Sequence, residues 1–188
     1  MKDCDLFRRV IAATIVALCV SALLAAGERQ ERLPNPKEIV EPAAYVSLDP
    51  VPRGKEFALA VVMKIRRGFH VNARQTSEDY LIPTDLKIDV PAGLRAGTTV
   101  YPPGTLKTFP FSPKKPLNVY AETVVIRVPL TALADAPLGT QHVALKLRYQ
   151  ACSDAACLPP ATLSFDAPVE IAAVGTLAKR PHPEFFGK

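Results

Sequence analysis

Several stretches of the chain alternate between apolar and polar residues, which is the pattern of β-strands with one buried face. The clearest runs from Phe57 to Ile65, where every second residue is apolar. Similar alternation covers residues 124–130 and 143–149. Together with weaker stretches, they give about seven or eight short strands, which predicts an all-β chain folded as a two-sheet β-sandwich.

Further strands and one long interruption complete this pattern. The further strands are predicted at residues 45–48, 69–72, 86–90, 94–101 and 163–169. The longest stretch without strand character covers residues 102–118, and loops of this length in compact domains are usually functional or disordered. It contains Phe109 and Phe111, which are too apolar for a solvated loop. We expect these two residues either to pack into the core or to cover another feature.

The composition supports strands and narrows the range of functions. The 188-residue chain has 19 prolines and no tryptophan, and proline at this density excludes long helices. The net charge of +5 comes without an arginine run, so it does not indicate a nucleic-acid-binding protein. The motifs of hydrolases and of nucleotide-binding proteins are missing from the sequence. His70, His142 and His182 share no short-range pattern, so each is expected to be a surface or packing residue.

The N-terminal residues have the order of a secretory signal peptide. Basic residues at positions 2, 8 and 9 precede an apolar run at 10–24, and small residues at 25–27 form a cleavage site. The apolar run is shorter than the roughly 20 residues that span a bilayer. A cleaved signal peptide at residues 1–27 predicts export to the periplasm, and an uncleaved N-terminal anchor is the alternative.

Four segments follow from these boundaries. The signal peptide at 1–27 precedes a polar, proline-containing leader at 28–41, which we expect to be flexible. The strands then define one domain at 42–171. After residue 171 the periodicity is lost, and 172–188 is predicted to be a C-terminal tail.

The candidate chemistry lies in two cysteines separated by four residues, Cys152 and Cys157. They are the cysteines that stay with the exported protein, because Cys4 and Cys19 leave with the signal peptide. Alternating strands lead in and out, which predicts a hairpin with residues 153–156 as its turn. Opposed residues of a hairpin have Cα atoms about 4.5 Å apart, which lies within the range of a disulfide.

Three interpretations of this pair are open. A disulfide that closes so short a loop stabilises the fold by only about 2 kcal/mol, so redox exchange is favoured over stabilisation. A local structural disulfide is the second interpretation. A metal site is the third and is disfavoured, because the loop offers no histidine or methionine to complete a set of ligands.

The residues around the pair differ in a way that bears on their roles. Pro159 and Pro160 donate no backbone hydrogen bonds and cannot continue a paired central strand. The backbone after Cys157 is therefore expected at an edge, with the sulfur of Cys157 accessible. Cys152 follows a strand, and we expect its sulfur to be less accessible.

Two short sequences resemble the active-site segment of the N-terminal periplasmic domain of the DsbD family of thiol:disulfide interchange proteins. They are Tyr149-Gln150-Ala151-Cys152 and Cys157-Leu158-Pro159-Pro160, and a weaker likeness extends over residues 45–171. The resemblance implies an immunoglobulin-like β-sandwich that relays electrons by disulfide exchange without a cofactor or metal, and a link to cytochrome c biogenesis.

The resemblance also implies roles for individual residues. Cys157 would form the intermolecular disulfide and Cys152 would resolve it. An aromatic residue in the loop before the strand at 119–130 covers the active-site disulfide in the family, and by position Phe109 or Phe111 would be that cap. Tyr149, Gln150, Pro159 and Pro160 would flank the site.

The partners follow from the same resemblance. In full-length members a membrane domain and a thioredoxin-like domain follow, whereas this chain resembles a free-standing first domain. We expect a thioredoxin-like or DsbD/CcdA-like membrane electron donor and a periplasmic thiol-redox protein as recipient, with neither a nucleic acid nor a small-molecule cofactor. The alternative function is a non-catalytic secreted β-sandwich binding module whose hairpin disulfide is structural.

Overall fold

The computed structural model describes residues 33–187, so the predicted signal peptide and the start of the leader lie outside the described residues. The regular secondary structure of residues 33–187 is almost entirely β-strand, which confirms the predicted fold class. Short 3-10 helices cover Pro36–Glu38 and Pro183–Phe185. The strands are β1 (Val40–Val46), β2 (Val51–Pro52), β3 (Glu56–Ile65), β4 (His70–Asn72), β5 (Asp85–Asp89), β6 (Leu94–Ala96), β7 (Thr105–Phe109), β8 (Ser112–Tyr120), β9 (Thr123–Ala132), β10 (Gly139–Tyr149), β11 (Ala151–Cys152) and β12 (Ala161–Ala172).

Two four-stranded sheets form the sandwich. Their strand orders are β1-β3-β9-β6 and β2-β12-β10-β5, and the buried side chains of both sheets belong to one apolar core. Among the described residues, no helix has the length and apolar character needed to cross a membrane.

The alternating sequence explains which faces are buried. In β10, Val143, Leu145, Leu147 and Tyr149 are each at most 1% exposed, while the residues between them face solvent. β12 pairs with β10 along its whole length, from Gly139 opposite Ile171 to Tyr149 opposite Ala161. This long hairpin was predicted from the sequence, and its end positions the cysteine segment.

A third sheet, with the order β11-β4-β8-β7, was not predicted. The prediction of a loop at residues 102–118 was wrong, because β7 and most of β8 form a hairpin there. Two prolines at 113 and 116 and a run of exposed polar residues hide the strand pattern. These prolines lie in the part of β8 that pairs only with β7, since β4 pairs only with Val119 and Tyr120. Proline is tolerated at such edge positions.

The segments next to the domain also contribute structure. β1 begins at Val40, two residues before the predicted domain boundary, and Ile39 and Val40 are buried in the main core. Near the C-terminus, the Arg127 guanidinium Nε donates to the backbone oxygen of Phe185 at 2.6 Å. The Phe185 ring stacks on Tyr45 with centroids 4.9 Å apart. Part of the predicted tail therefore packs against the first sheet.

Candidate functional site

Cys152 and Cys157 form a disulfide with their Cα atoms 3.9 Å apart, slightly closer than expected. The predicted turn lies between them: the backbone N–H of Ser153 donates to the oxygen of Ala156 at 2.8 Å. The Ser153 hydroxyl accepts from the backbone N–H groups of Ala155 and Ala156, each at 3.2 Å. The turn thus holds both cysteines side by side as antiparallel bridge partners.

The cysteine segment leaves the sandwich where β10 ends. Tyr149 is fully buried, and its hydroxyl donates to the backbone oxygen of Pro36 at 2.7 Å; burial raises its pKa to about 12. After Gln150 the chain enters β11, where Ala151 and Cys152 pair with Val71 and His70 of β4. The cysteines therefore lie at the edge of the third sheet and not within the long hairpin.

The flanking residues predicted from the sequence surround this edge. The Gln150 side-chain amide donates to the backbone oxygen of Leu158 at 3.3 Å. Pro159 and Pro160 are exposed and belong to no strand, and pairing resumes at Ala161. The prolines thus end the local pairing just after Cys157.

The two cysteines differ in their exposure to solvent. Cys152 is 1% exposed, whereas Cys157 is exposed to solvent. Cys157 is thus the residue of the pair that solvent reaches, while Cys152 is enclosed by the fold. This asymmetry is the main geometric feature of the pair.

His70 lies on the other side of Cys152 and was not predicted to be near the site. Its side chain is 4% exposed, and its Nε2 is buried without a hydrogen-bond partner among residues 33–187. Burial lowers the pKa of His70 to about 4; the negative charge of Asp154 opposes this shift and the positive charge of Lys107 adds to it. The imidazole is therefore neutral at pH 7.

Two phenylalanines of the β7–β8 hairpin extend the stack of rings that begins at His70. Phe109 is 4% exposed and stacks on His70 with ring centroids 4.0 Å apart. Phe111, which is 43% exposed, stacks on Phe109 at 5.3 Å. Phe109 also belongs to a small apolar cluster with Leu117 and Val119. Phe109 therefore packs against His70, the strand partner of Cys152. Its role as a cap over the disulfide stays a prediction.

A cavity of about 560 Å³ lies beside the turn. His70, Lys107 and Asp154 contribute to its wall, together with cationic side chains at the end of β3 and in the β3–β4 connection. Those cations are Lys64, Arg66 and Arg67, all exposed. Within the described part of the chain, no three potential ligands from His, Cys, Asp and Glu are grouped to hold a metal ion.

Comparison with solved structures gives several matches at low sequence identity. The N-terminal periplasmic domain of ScsB from Proteus mirabilis matches with a TM-score of 0.51 and 11% identity, over 82% of this chain and 53% of that chain. The DsbD N-terminal domain of Neisseria meningitidis in the reduced form matches with a TM-score of 0.45 and 22% identity, over 82% of this chain and all of that one.

A third solved structure is the complex between the DsbD N-terminal and PilB N-terminal domains of Neisseria meningitidis. It matches with a TM-score of 0.45 and 20% identity, over 71% of this chain and 86% of that chain. No curated protein sequence matches the chain at a significant level.

Comparison with protein families identifies the chain more directly. The profile described as "Thiol:disulfide interchange protein DsbD, N-terminal" matches residues 36–168. These residues include the sandwich except the end of β12, the third sheet and the Cys152–Cys157 disulfide. The protein therefore belongs to the DsbD N-terminal family and is a thiol:disulfide interchange domain.

Proposed function

We propose that this domain relays electrons in the periplasm through the Cys152/Cys157 pair. It would take them from a thioredoxin-like or DsbD/CcdA-like membrane donor and pass them to a periplasmic thiol-redox protein. The observation that carries the proposal is the pairing of an exposed Cys157 with an enclosed Cys152 in one disulfide of a family member. Export by a cleaved signal peptide at residues 1–27 belongs to this proposal.

The exchange needs only the two cysteines and the partner's pair. A donor thiolate attacks the sulfur of Cys157, a mixed disulfide forms, and Cys152 leaves as a thiolate that takes up a proton. The donor's second thiol then attacks the mixed disulfide and releases the reduced domain. Transfer to a recipient runs in the opposite sense, with Cys157 as the attacking group and Cys152 as the resolving group.

The electrostatic setting favours reaction with an activated partner. Burial disfavours the charged form of a thiol and raises its pKa, and Cys152 is almost fully enclosed. Asp154 adds a negative charge within the turn, which opposes ionisation of either cysteine. The reaction rate would then be set mainly by the partner's thiolate, as suits a relay.

The exposed aromatic hairpin suits control of access to the pair. Phe109 would shield the region of Cys152 through its stack on His70, while Phe111 would form the outer, movable part. In this proposal the hairpin limits the reaction of Cys152 with small thiols and leaves Cys157 to a docked partner.

Reduction of the native protein tests the function. Oxidised protein is mixed with catalytic thioredoxin-type protein, its reductase and NADPH, and free thiols are counted over time without denaturant. The proposal predicts rapid appearance of two thiols per chain in a folded protein. A disulfide that stays intact until denaturant is added would indicate the alternative, a binding module with a structural disulfide.

A further inference from the structure

Three side chains stand in one row across the edge of the third sheet. His70 is the antiparallel partner of Cys152, and Cys152 is the antiparallel bridge partner of Cys157. Directly opposed residues of antiparallel strands point to the same face, with β-carbons about 4.5–5.5 Å apart. Cys152 therefore has its disulfide partner on one side and an imidazole on the other.

The imidazole at this position lacks the hydrogen bonds that normally accompany burial. Buried polar atoms in native proteins almost always have a partner, and the exceptions need an explanation. The Nε2 of His70 has none among residues 33–187. The stack against Phe109 fixes the ring without satisfying this nitrogen. If this side chain served only for packing, an apolar aromatic ring would fill the same space without burying an unsatisfied nitrogen.

Burial, and not the charge of its neighbours, keeps the imidazole of His70 neutral at pH 7. Burial is the main cause of its lowered pKa; Asp154 of the turn favours protonation and Lys107 of β7 opposes it. A neutral imidazole has one ring nitrogen with a free lone pair, which can accept a proton. At pH 7 the imidazole is therefore unprotonated, and with a pKa of about 4 it is a weak base in the oxidised protein. A negative charge that develops on the Cys152 sulfur beside it would raise this pKa and make the ring a stronger proton acceptor.

Cys152 is the residue of the pair that needs such a base. The nucleophile of disulfide exchange is the thiolate, and both its burial and the nearby Asp154 disfavour ionisation of Cys152. Cys157 is exposed, and water can take or supply its proton. Among the described residues, the sequence-distant His70 is the titratable group placed directly opposite Cys152.

We propose that His70 accepts the thiol proton of Cys152 when Cys152 resolves a mixed disulfide, and returns a proton to it in the reverse step. The inference rests on the proposed function, since it assigns a proton path to the same exchange. His70 would be a catalytic residue because it exchanges a proton with one of the reacting sulfurs.

The step balances in both directions. In resolution, the Cys152 proton passes to the Nε2 of His70, the Cys152 sulfur bonds to the Cys157 sulfur, and the bond between Cys157 and the partner breaks. The partner leaves as a thiolate with the electron pair of that bond, and the imidazolium then loses its proton to solvent. In reduction of the domain, Cys152 leaves as a thiolate, and His70 passes to it a proton taken from solvent.

The cavity beside the turn supplies the route for this proton. His70 is nearly inaccessible at the outer surface, yet it lines the same cavity of about 560 Å³ as Asp154 and Lys107. Asp154 lies in the turn between the cysteines and favours the protonated ring. The imidazolium formed during resolution is thus stabilised by Asp154 until its proton reaches water.

A chromogenic disulfide separates the two chemical steps. Reduced protein is mixed with excess dithiobis-nitrobenzoate: attack by Cys157 releases the first thionitrobenzoate, and resolution by Cys152 releases the second. For His70→Phe, which keeps a ring to stack on Phe109, the second phase at pH 7 should slow about tenfold or more, with the first phase changed by less than about twofold. His142→Phe removes a histidine from β10 as the matched control and should behave like the unchanged protein.

The pH profile distinguishes proton transfer from a structural effect. The deficit of His70→Phe should shrink as the pH rises, because Cys152 then ionises without a base. His70→Gln, which retains a polar side chain without a basic nitrogen, should show the same profile. An unchanged second phase, or a deficit that is equal in both phases or at every pH, would overturn the proposal.

The same experiment is independent of the physiological partner. If Cys152→Ser keeps the fast first phase and Cys157→Ser loses it, the two phases show that Cys157 attacks and Cys152 resolves, whether or not any thioredoxin-like protein reduces the domain. Failure of the thioredoxin-type reduction would contradict the proposed function and still leave the comparison of His70 variants readable.

Discussion

The sandwich and the third sheet differ in the size of the apolar clusters that they enclose. The sandwich encloses one large apolar core to which both four-stranded sheets contribute. The third sheet adds Val71, Tyr120 and Ala151 to this core. Its remaining buried apolar residues form a separate small cluster of Phe109, Leu117 and Val119, with Leu81 packed against it. We infer that the sandwich supplies most of the free energy of folding. The third sheet can therefore contain functional residues that lower the stability of the protein.

The buried polar residues follow the same division. Those found in the described part of the chain are His70, Asn72 and Thr84, and the first two form the ends of β4 in the third sheet. Thr84 donates from its hydroxyl to the backbone oxygen of Asn72 at 2.6 Å. The buried side-chain atoms without a partner, His70 Nε2 and Asn72 Oδ1, are both in β4. Buried polar groups without a hydrogen-bond partner are rare in native proteins, and functional sites are one place where they occur.

The largest expected effect comes from the core of the sandwich. Leu147→Ala removes a fully buried side chain of β10 and should lower the free energy of unfolding by about 3 kcal/mol. Leu117→Ala removes the same atoms from the small cluster and should cost roughly half as much, because its surroundings can relax. Urea titration of both variants measures the difference; equal losses would contradict the division between the two regions.

Acidification should weaken the third sheet through His70. Its pKa is about 4 in the folded protein against 6.5 for an ordinary histidine, so the unfolded chain binds more protons between these values. The contribution is fully present above pH 6.5 and is lost as the pH falls towards 4; the loss between pH 7 and pH 5 is about 2 kcal/mol. Urea titrations at both pH values should show this loss in the unchanged protein and not in His70→Phe. If His70→Phe kept the full loss of stability between pH 7 and pH 5, His70 would not be its cause.

A close approach at the entry to the β7–β8 hairpin gives a smaller effect. A β-carbon on Gly104 would lie 2.7 Å from the β-carbon of Ala73 and would also meet the Asn118 side chain. Gly104→Ala should therefore destabilise the protein by about 1–2 kcal/mol. Gly97→Ala is the matched control, because its β-carbon would meet Pro129 at an ordinary 3.4 Å. Thermal unfolding of both variants tests the contrast, which fails if they melt together.

The smallest expected effect concerns access to the buried cysteine. In a Cys157→Ser background, Phe109→Ala should speed alkylation of Cys152 several-fold, because it removes the ring that covers His70. Phe111→Ala should have less effect, since Phe111 is already partly exposed and contacts Phe109 from outside. Alkylation by iodoacetamide, followed by mass spectrometry, gives both rates. No change in either folded variant would reject the cap.

Much of the sandwich was predictable because its strands bury one face. The alternation in β9 and β10 follows directly from that burial, whereas β3 is buried on both faces over residues 59–63 and is correspondingly apolar there. β1 was harder to recognise, because Pro42 interrupts its pattern; an edge strand tolerates this proline. β7 and β8 form a sheet that is exposed over most of its length, so burial imposes little alternation on their sequences.

The site was predictable only where its residues are neighbours in the sequence. The spacing of Cys152 and Cys157 predicted both the turn and the disulfide. His70 lies far from them in the chain and reaches Cys152 through a strand pairing of two residues. A single histidine carries no periodic signal, and its relation to the site appears only when β4 and β11 are placed side by side.

The relay is tested most directly by trapping its intermediate. Each single variant, Cys152→Ser and Cys157→Ser, is expressed in its native envelope, quenched with acid and separated on non-reducing gels. Cys152→Ser should accumulate a mixed disulfide with a partner, because Cys157 can attack but nothing in the domain resolves the product. Cys157→Ser should accumulate far less, because the sulfur of Cys152 is enclosed. An adduct with Cys157→Ser alone would reverse the two roles, and no adduct with either variant would contradict the relay itself.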